Sequence, residues 1–181
     1  MTKSKLFLTS IFAIAIFFSF AVASSSSDSS SNSEVATNNK TELPTVGQNL
    51  QTEYFLVTLN GVTTDYKINT GNPFSDLKAD PGNKFLIFNV TFKNTDKESR
   101  MLMDGSVFIE YNNTRYEFDN PETIMAEGWG LMLEQINPLT SKTTNLVYKI
   151  PEEISGDAFW NPGRSNKNKI FYLGAIGATS K

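Results

Sequence analysis

The side chains with the widest chemical reach in this sequence are its carboxylates. Glu110, Glu117 and Asp119 fall on segments of alternating polarity, and any two brought together would offer the acid and the base that glycoside hydrolysis requires. A second set falls in turn-rich stretches: Asp76, Asp80, Asp96, Asp104, Glu152, Glu153 and Asp157. Carboxylates gathered by loops hold calcium, which takes about six to eight oxygen ligands. No EF-hand-like spacing occurs, so a solvated acidic rim is the plainer expectation. Two tryptophans carry a different chemistry. Trp129 lies between Gly128 and Gly130, and Trp160 lies in the run Phe159-Trp160-Asn161-Pro162-Gly163. Each is a candidate aromatic platform for a sugar or a protein, with a plug at the edge of a small core as the alternative. Three N-x-S/T sequons make Asn39, Asn89 and Asn112 candidate glycosylation acceptors.

Absent residues exclude more than present ones suggest. The 181 residues include no Cys and no His. Disulfides, thiolate nucleophiles and lipid-modified cysteines are therefore excluded, together with the commonest general base and the commonest transition-metal ligand. Serine is abundant, yet no G-x-S-x-G occurs and no histidine is there to accept its proton. No catalytic residue, metal site or cofactor is assigned on this basis, and the expectation is a protein that is not an enzyme.

The first residues read as an address. Lys3 and Lys5 precede Leu6–Ala23, an almost wholly apolar run of 18 residues closing on Ala21-Val22-Ala23. That pattern predicts a signal peptide over 1–23, cleaved between Ala23 and Ser24. Retention as an anchor is the competing reading, and it is the one route by which the chain would touch a membrane. The localisation expected is secreted, or on the extracellular face of the envelope. Residues 24–49 are rich in Ser and Asn and lack aromatics, which predicts a disordered linker. Removing the leader leaves 14 basic against 19 acidic residues, a net charge near -5, which argues against nucleic-acid binding.

From residue 50 to 177 the pattern predicts an all-β domain of about seven or eight short strands. Phe55, Val57 and Leu59 share one face, and Asn60-Gly61 reads as a turn before a further strand over Thr63–Ile68. Lys84–Lys93 is the strongest strand, with Leu86, Phe88, Val90 and Phe92 on one side. Val107–Tyr111 and Arg115–Asp119 flank a compact turn at Asn112-Asn113-Thr114. Pro121–Gly130 is ambiguous, and Leu131–Ile136 suits either a strand or one helical turn. Thr143–Ile150 and Ile170–Leu173 complete the set. A two-sheet sandwich buries one face of each strand.

The run Asp80-Pro81-Gly82-Asn83-Lys84-Phe85-Leu86-Ile87-Phe88-Asn89-Val90-Thr91-Phe92-Lys93-Asn94 resembles the signature of the DUF4352 family. The segment from Pro138-Leu139 to Ile150-Pro151 resembles its second landmark, and the likeness extends over Gln51–Gly174. Family members often have Gly near Thr140 or Ser141 and many carry a lipobox Cys, neither of which this chain has. The resemblance implies an immunoglobulin-like antiparallel β-sandwich of an exported prokaryotic protein, and no activity. The function expected is an exported or cell-surface binding module whose partner is a protein or an envelope component. A secreted carboxylate-dependent glycan hydrolase and a purely structural stalk domain are the alternatives.

Overall fold

Strands form where apolar and polar residues alternate, because alternation puts all the apolar side chains of a strand on one face. The computed structural model describes residues 43–131 and 133–177; the leader, the Ala23–Ser24 cleavage site and Asn39 lie outside the described residues. In chain order the strands are β1 (Asn49–Gln51), β2 (Phe55–Asp65), β3 (Lys67–Ile68), β4 (Leu77–Lys78), β5 (Asn83–Asn94) and β6 (Arg100–Met101). They continue as β7 (Ser106–Tyr111), β8 (Thr114–Phe118), β9 (Gln135–Ile136), β10 (Ser141–Pro151), β11 (Gly156–Asn161) and β12 (Phe171–Ile176). One four-stranded antiparallel sheet has the order β1-β2-β5-β10 and the other β12-β11-β7-β8, while β3-β4 and β6-β9 are short ribbons.

The two sheets bury their facing sides against each other as an immunoglobulin-like sandwich. Phe55, Val57 and Leu59 of β2, Leu86, Phe88, Val90 and Phe92 of β5, and Leu146, Tyr148 and Ile150 of β10 supply one wall. Val107, Ile109, Ala158, Trp160, Phe171 and Leu173 supply the other. Trp160 sits at the centre, with ring centroids 5.1 Å from Phe88 and 5.7 Å from Phe171.

Four local readings change. Asn60-Gly61 is not a turn: β2 runs through it, and the register against β5 shifts between Leu59 and Gly61, so the extra residue is taken up as a bulge. Among the described residues of 131–136, Gln135–Ile136 alone is a strand, pairing with Arg100–Met101. Strands β1, β4, β6 and β11 have no counterpart in the sequence reading. The first three span only two or three residues, and Gly156 and Pro162 around β11 resemble loop punctuation. Finally, the fold begins before residue 50: Gly47 N donates to Leu59 O at 2.7 Å, and Tyr172 N donates to Pro44 O at 2.9 Å. The Asn112-Asn113 hairpin forms as expected, with φ of 50° and 59° at its two central residues.

Strand β5 is pinned at both ends by buried polar side chains. Asn94 Nδ2 donates to Glu98 O and to Ile136 O, each at 2.8 Å, while its Oδ1 accepts from Asp96 N at 2.9 Å. At the other end Lys84 Nζ donates to Ile154 O at 2.9 Å and Gly177 O at 2.8 Å. Burial pushes the Lys84 amine below its ordinary pKa, against the pull of the Glu152 carboxylate. Replacing Asn94 by Ala strands two carbonyls and one N–H, and should lower unfolding stability by roughly 2–4 kcal/mol. Urea denaturation reads this directly. Asn94→Asp keeps the acceptor but loses both donors, so its midpoint should lie nearer to the Ala variant than to the native chain.

Candidate functional site

Strand β5 is apolar on both sides. Phe85 and Ile87 of β5 and Val147 of β10 point away from the main core, and with Ile68 and Ile124 they form a second buried cluster. Water must be kept off that outer patch, and the segment between β8 and β9 folds across it. Glu122 N donates to Val147 O at 2.7 Å, Asn145 N to Gly128 O at 2.9 Å, and Gly130 N to Asn145 O at 2.9 Å. Thr144 Oγ1 donates to Gly130 O at 2.8 Å. Gly128 and Gly130 have φ of 79° and 67°, which lets the chain turn tightly on either side of Trp129. These bonds also close the outer edge of β10, which would otherwise be open to pairing. Leu131 then drops back into the main core.

The same excursion leaves a cleft of about 520 Å³ on the flank of the sandwich. Ile124 and Leu131 are buried in its wall, while Met125 and Leu133 stand at its rim 68% and 82% exposed. Asp104 and Asp119 line it as well. Ser75 Oγ donates to Met125 O at 2.9 Å, which ties the loop before β4 to the rim. The backbone of Asp104 is held from within: its carbonyl accepts from Trp160 Nε1 at 2.9 Å and from the Tyr148 hydroxyl at 3.3 Å. The Tyr148 hydroxyl also donates to Gly105 O at 3.0 Å.

Burial pushes the Asp104 carboxyl above its ordinary pKa, and no side chain among the described residues donates to it or pairs with it. The Tyr148 hydroxyl is driven up too, chiefly by burial, then by the negative charge of Asp104 and, more weakly, of Asp119. Both carboxylates therefore bear on the same buried hydroxyl.

The other sequence-derived candidates divide. Trp160 is no platform: it is wholly buried, on the side of β11 that alternation turns toward the opposite sheet with Ala158. Trp129 is half-buried against the second cluster, so it too covers core rather than standing free. Asn89 lies in the central strand with its Nδ2 donating to Asn145 Oδ1 at 2.9 Å and its Oδ1 accepting from Asn60 at 2.8 Å, so its amide is engaged in the polar face of the sheet. Asn112 is exposed at its hairpin tip. The loop carboxylates do not converge on an ion: among the described residues no three acidic side chains stand close enough to hold one. Asp76 accepts from Thr70 N at 2.7 Å, Asp80 pairs with Lys149 at 3.4 Å, Asp96 pairs with Arg100, and Glu152 accepts from the Tyr66 hydroxyl at 2.9 Å. Glu153 is exposed.

Of the strand carboxylates, Glu117 stands opposite Phe108, while Glu110 stands opposite Asp157 across β7 and β11. That pair borders a row of rings in which Phe159 lies 4.9 Å from Phe108 and 5.4 Å from Tyr172. Sequence reasoning missed Ile124, Met125, Leu131 and Leu133. Their signal was a stretch of apolar residues with neither strand nor helix period.

Asp104 gives a testable pH dependence. Its folded pKa lies above the unfolded one, so between the two values the folded chain binds more protons, and stability falls as pH rises through that window. Asp104→Asn should therefore melt higher than the native chain at neutral pH. The gap should close once pH falls below the ordinary carboxylate range, as thermal scans across pH will show.

The comparisons with known proteins agree with this fold. The family described as "Domain of unknown function (DUF4352)" matches residues 44–160. A search of curated proteins finds no match. Among solved structures, an uncharacterized β-sandwich protein from Clostridium difficile 630 is similar with a TM-score of 0.53 at 14% identity, over 75% of this chain and 95% of that one. A conserved hypothetical protein from Bacillus anthracis is similar with a TM-score of 0.50 at 17% identity, over 74% of this chain and 96% of that one. These likenesses establish the sandwich fold, and with the family match over most of the described residues this chain belongs to the DUF4352 family.

Proposed function

We propose that the chain is an exported binding module that captures a protein or an envelope component through the flank cleft and catalyses no reaction. The observation carrying this reading is the set of apolar side chains held out into water around one concave site. Met125 and Leu133 are 68% and 82% exposed at the rim, above the buried Ile124 and Leu131. Exposed apolar residues scattered singly need no explanation, but two on the rim of one cleft, above two buried ones, mark a place where a partner removes them from water. Export rests on the basic head at Lys3 and Lys5 and the apolar run Leu6–Ala23.

One observation favours a second reading. Glu110 faces Asp157 beside the rings of Phe159 and Tyr172, and residues directly opposite on antiparallel strands have Cβ atoms about 5 Å apart. Two carboxylates on neighbouring strands beside aromatic rings are the residue types that a glycosidase uses. The Tyr172 hydroxyl donates to Asp157 at 2.8 Å, which orients that carboxylate beside Glu110.

The two readings separate in one set of experiments. The immobilised full chain, challenged with envelope extract from its host, should retain a partner. The double variant Met125→Ser, Leu133→Ser should lower retention by at least about fivefold. Both side chains are exposed, so the melting temperature should hold. Equal retention by the variant, or none by either protein, would remove the binding reading. Release of reducing ends from glycans that Glu110→Gln abolishes would establish the hydrolase in its place.

A further inference from the structure

Resting on that reading of the flank cleft, we propose that its occupant is a protein segment presenting a lysine or arginine side chain between apolar neighbours. The argument is one of charge. Most carboxylates near a cation in this fold are matched: Asp80 and Glu122 by Lys149, each at 3.4 Å, Asp96 and Glu98 by Arg100, and Glu134 by Lys142. Asp65, Asp76 and Asp157 accept from backbone N–H groups or hydroxyls. Asp104 and Asp119 have no cation partner among the described residues, Asp104 being met by its own backbone N–H, and both line the flank cleft.

Asp104 is half-buried and Asp119 exposed, so a cation arriving with its own apolar flank recovers the partial desolvation of the first and meets the charge of the second. Lysine and arginine are built for this, because a methylene stem lies along an apolar wall while the head reaches a carboxylate. Ile124 and Leu131 supply the wall, and Met125 and Leu133 meet the neighbours of the basic residue. The site is also set in advance. Bonds from Trp160 and Tyr148 fix the Asp104 backbone, so little ordering remains to be done when a ligand arrives. An anionic lipid surface is the wrong partner for the same reason of charge: its headgroups would meet Asp104 and Asp119 with like sign.

The test uses the full chain and two labelled peptides, one with an arginine between two leucines and a twin with glutamate in its place. The arginine peptide should bind at least about tenfold more tightly by fluorescence anisotropy, and should shift the NMR signals of Ile124 and Leu131. Asp104→Asn and Asp119→Asn should each weaken it severalfold, as should raising NaCl to about 0.5 M, with the fold intact by melting. Equal affinity for the twins, or insensitivity to both Asn variants, overturns the proposal. So does co-sedimentation with phosphatidylglycerol vesicles in preference to the arginine peptide. The envelope-extract experiment keeps the two ideas apart. A partner lost with the Met125→Ser, Leu133→Ser variant but indifferent to the Asn variants would sink the charge argument and leave the binding module standing.

Discussion

Phe85, Ile87 and Val147 place apolar surface on the side of a sheet that has no partner sheet, and much of the rest of this molecule answers that placement. A sandwich needs one apolar face per sheet. Here the β1-β2-β5-β10 sheet has one and a half, because β5 is buried on both sides over its first residues and on one side thereafter. The uncovered patch would be water-exposed and next to the free edge of β10. The segment after β8 solves both problems at once, laying Ile124 on the patch while its backbone hydrogen-bonds to Asn145 and Val147. Where the cover ends, the sheet face changes character. Asn60, Asn89 and Asn145 are linked amide to amide, and Thr91 meets Thr143 at 2.8 Å, so the rest of that face is polar and satisfied without a lid. The flank cleft is the by-product of a chain that must leave one sheet, cross to the outside and return to the core at Leu131.

A strand carrying that much of the core cannot be allowed to slip in register, since a shift by one residue would exchange its faces. Lys84 and Asn94 act against slippage from opposite ends. Each reaches two carbonyls belonging to other parts of the chain: Ile154 and Gly177 for Lys84, Glu98 and Ile136 for Asn94. The bonds work only in the observed register. Among the described residues no buried side-chain nitrogen or oxygen is left without a partner, so the low dielectric that makes these groups costly when orphaned instead strengthens what they hold. The family signature thus has a physical content at its two polar ends, and it is architectural.

Sequence alternation made β2, β5, β7, β8 and β10 legible, because each is long enough for period two to stand out from chance. The bulge at Leu59–Gly61 was invisible for the opposite reason: Asn-Gly has the same local chemistry whether it turns the chain or merely widens it, and pairing with β5 over both halves decides the matter. Strand β11 hid behind glycine and proline. Gly156 is there because a Cβ would come within 2.2 Å of the Glu110 carbonyl, a requirement set by a neighbour far away in sequence. The cleft was less legible still. Ile124, Met125, Leu131 and Leu133 obey no period, since two of them face different cores and two face water. Carboxylates could be enumerated from the sequence, but which of them lack a cation is a property of the folded chain alone.

Fold and binding site are separable at Asp104, and that separation is what makes a specific role for its side chain arguable. Trp160 and Tyr148 need an acceptor at this position to satisfy their buried donors, but the acceptor they use is the backbone carbonyl, which any residue would offer. The carboxylate accepts from its own backbone N–H and from no side chain among the described residues, is pushed up by the burial around it, and weakens the folded state at neutral pH. An asparagine there would keep an acceptor for that N–H and remove the penalty. The charge is therefore a net cost to folding, and a cation brought in from outside can offset it.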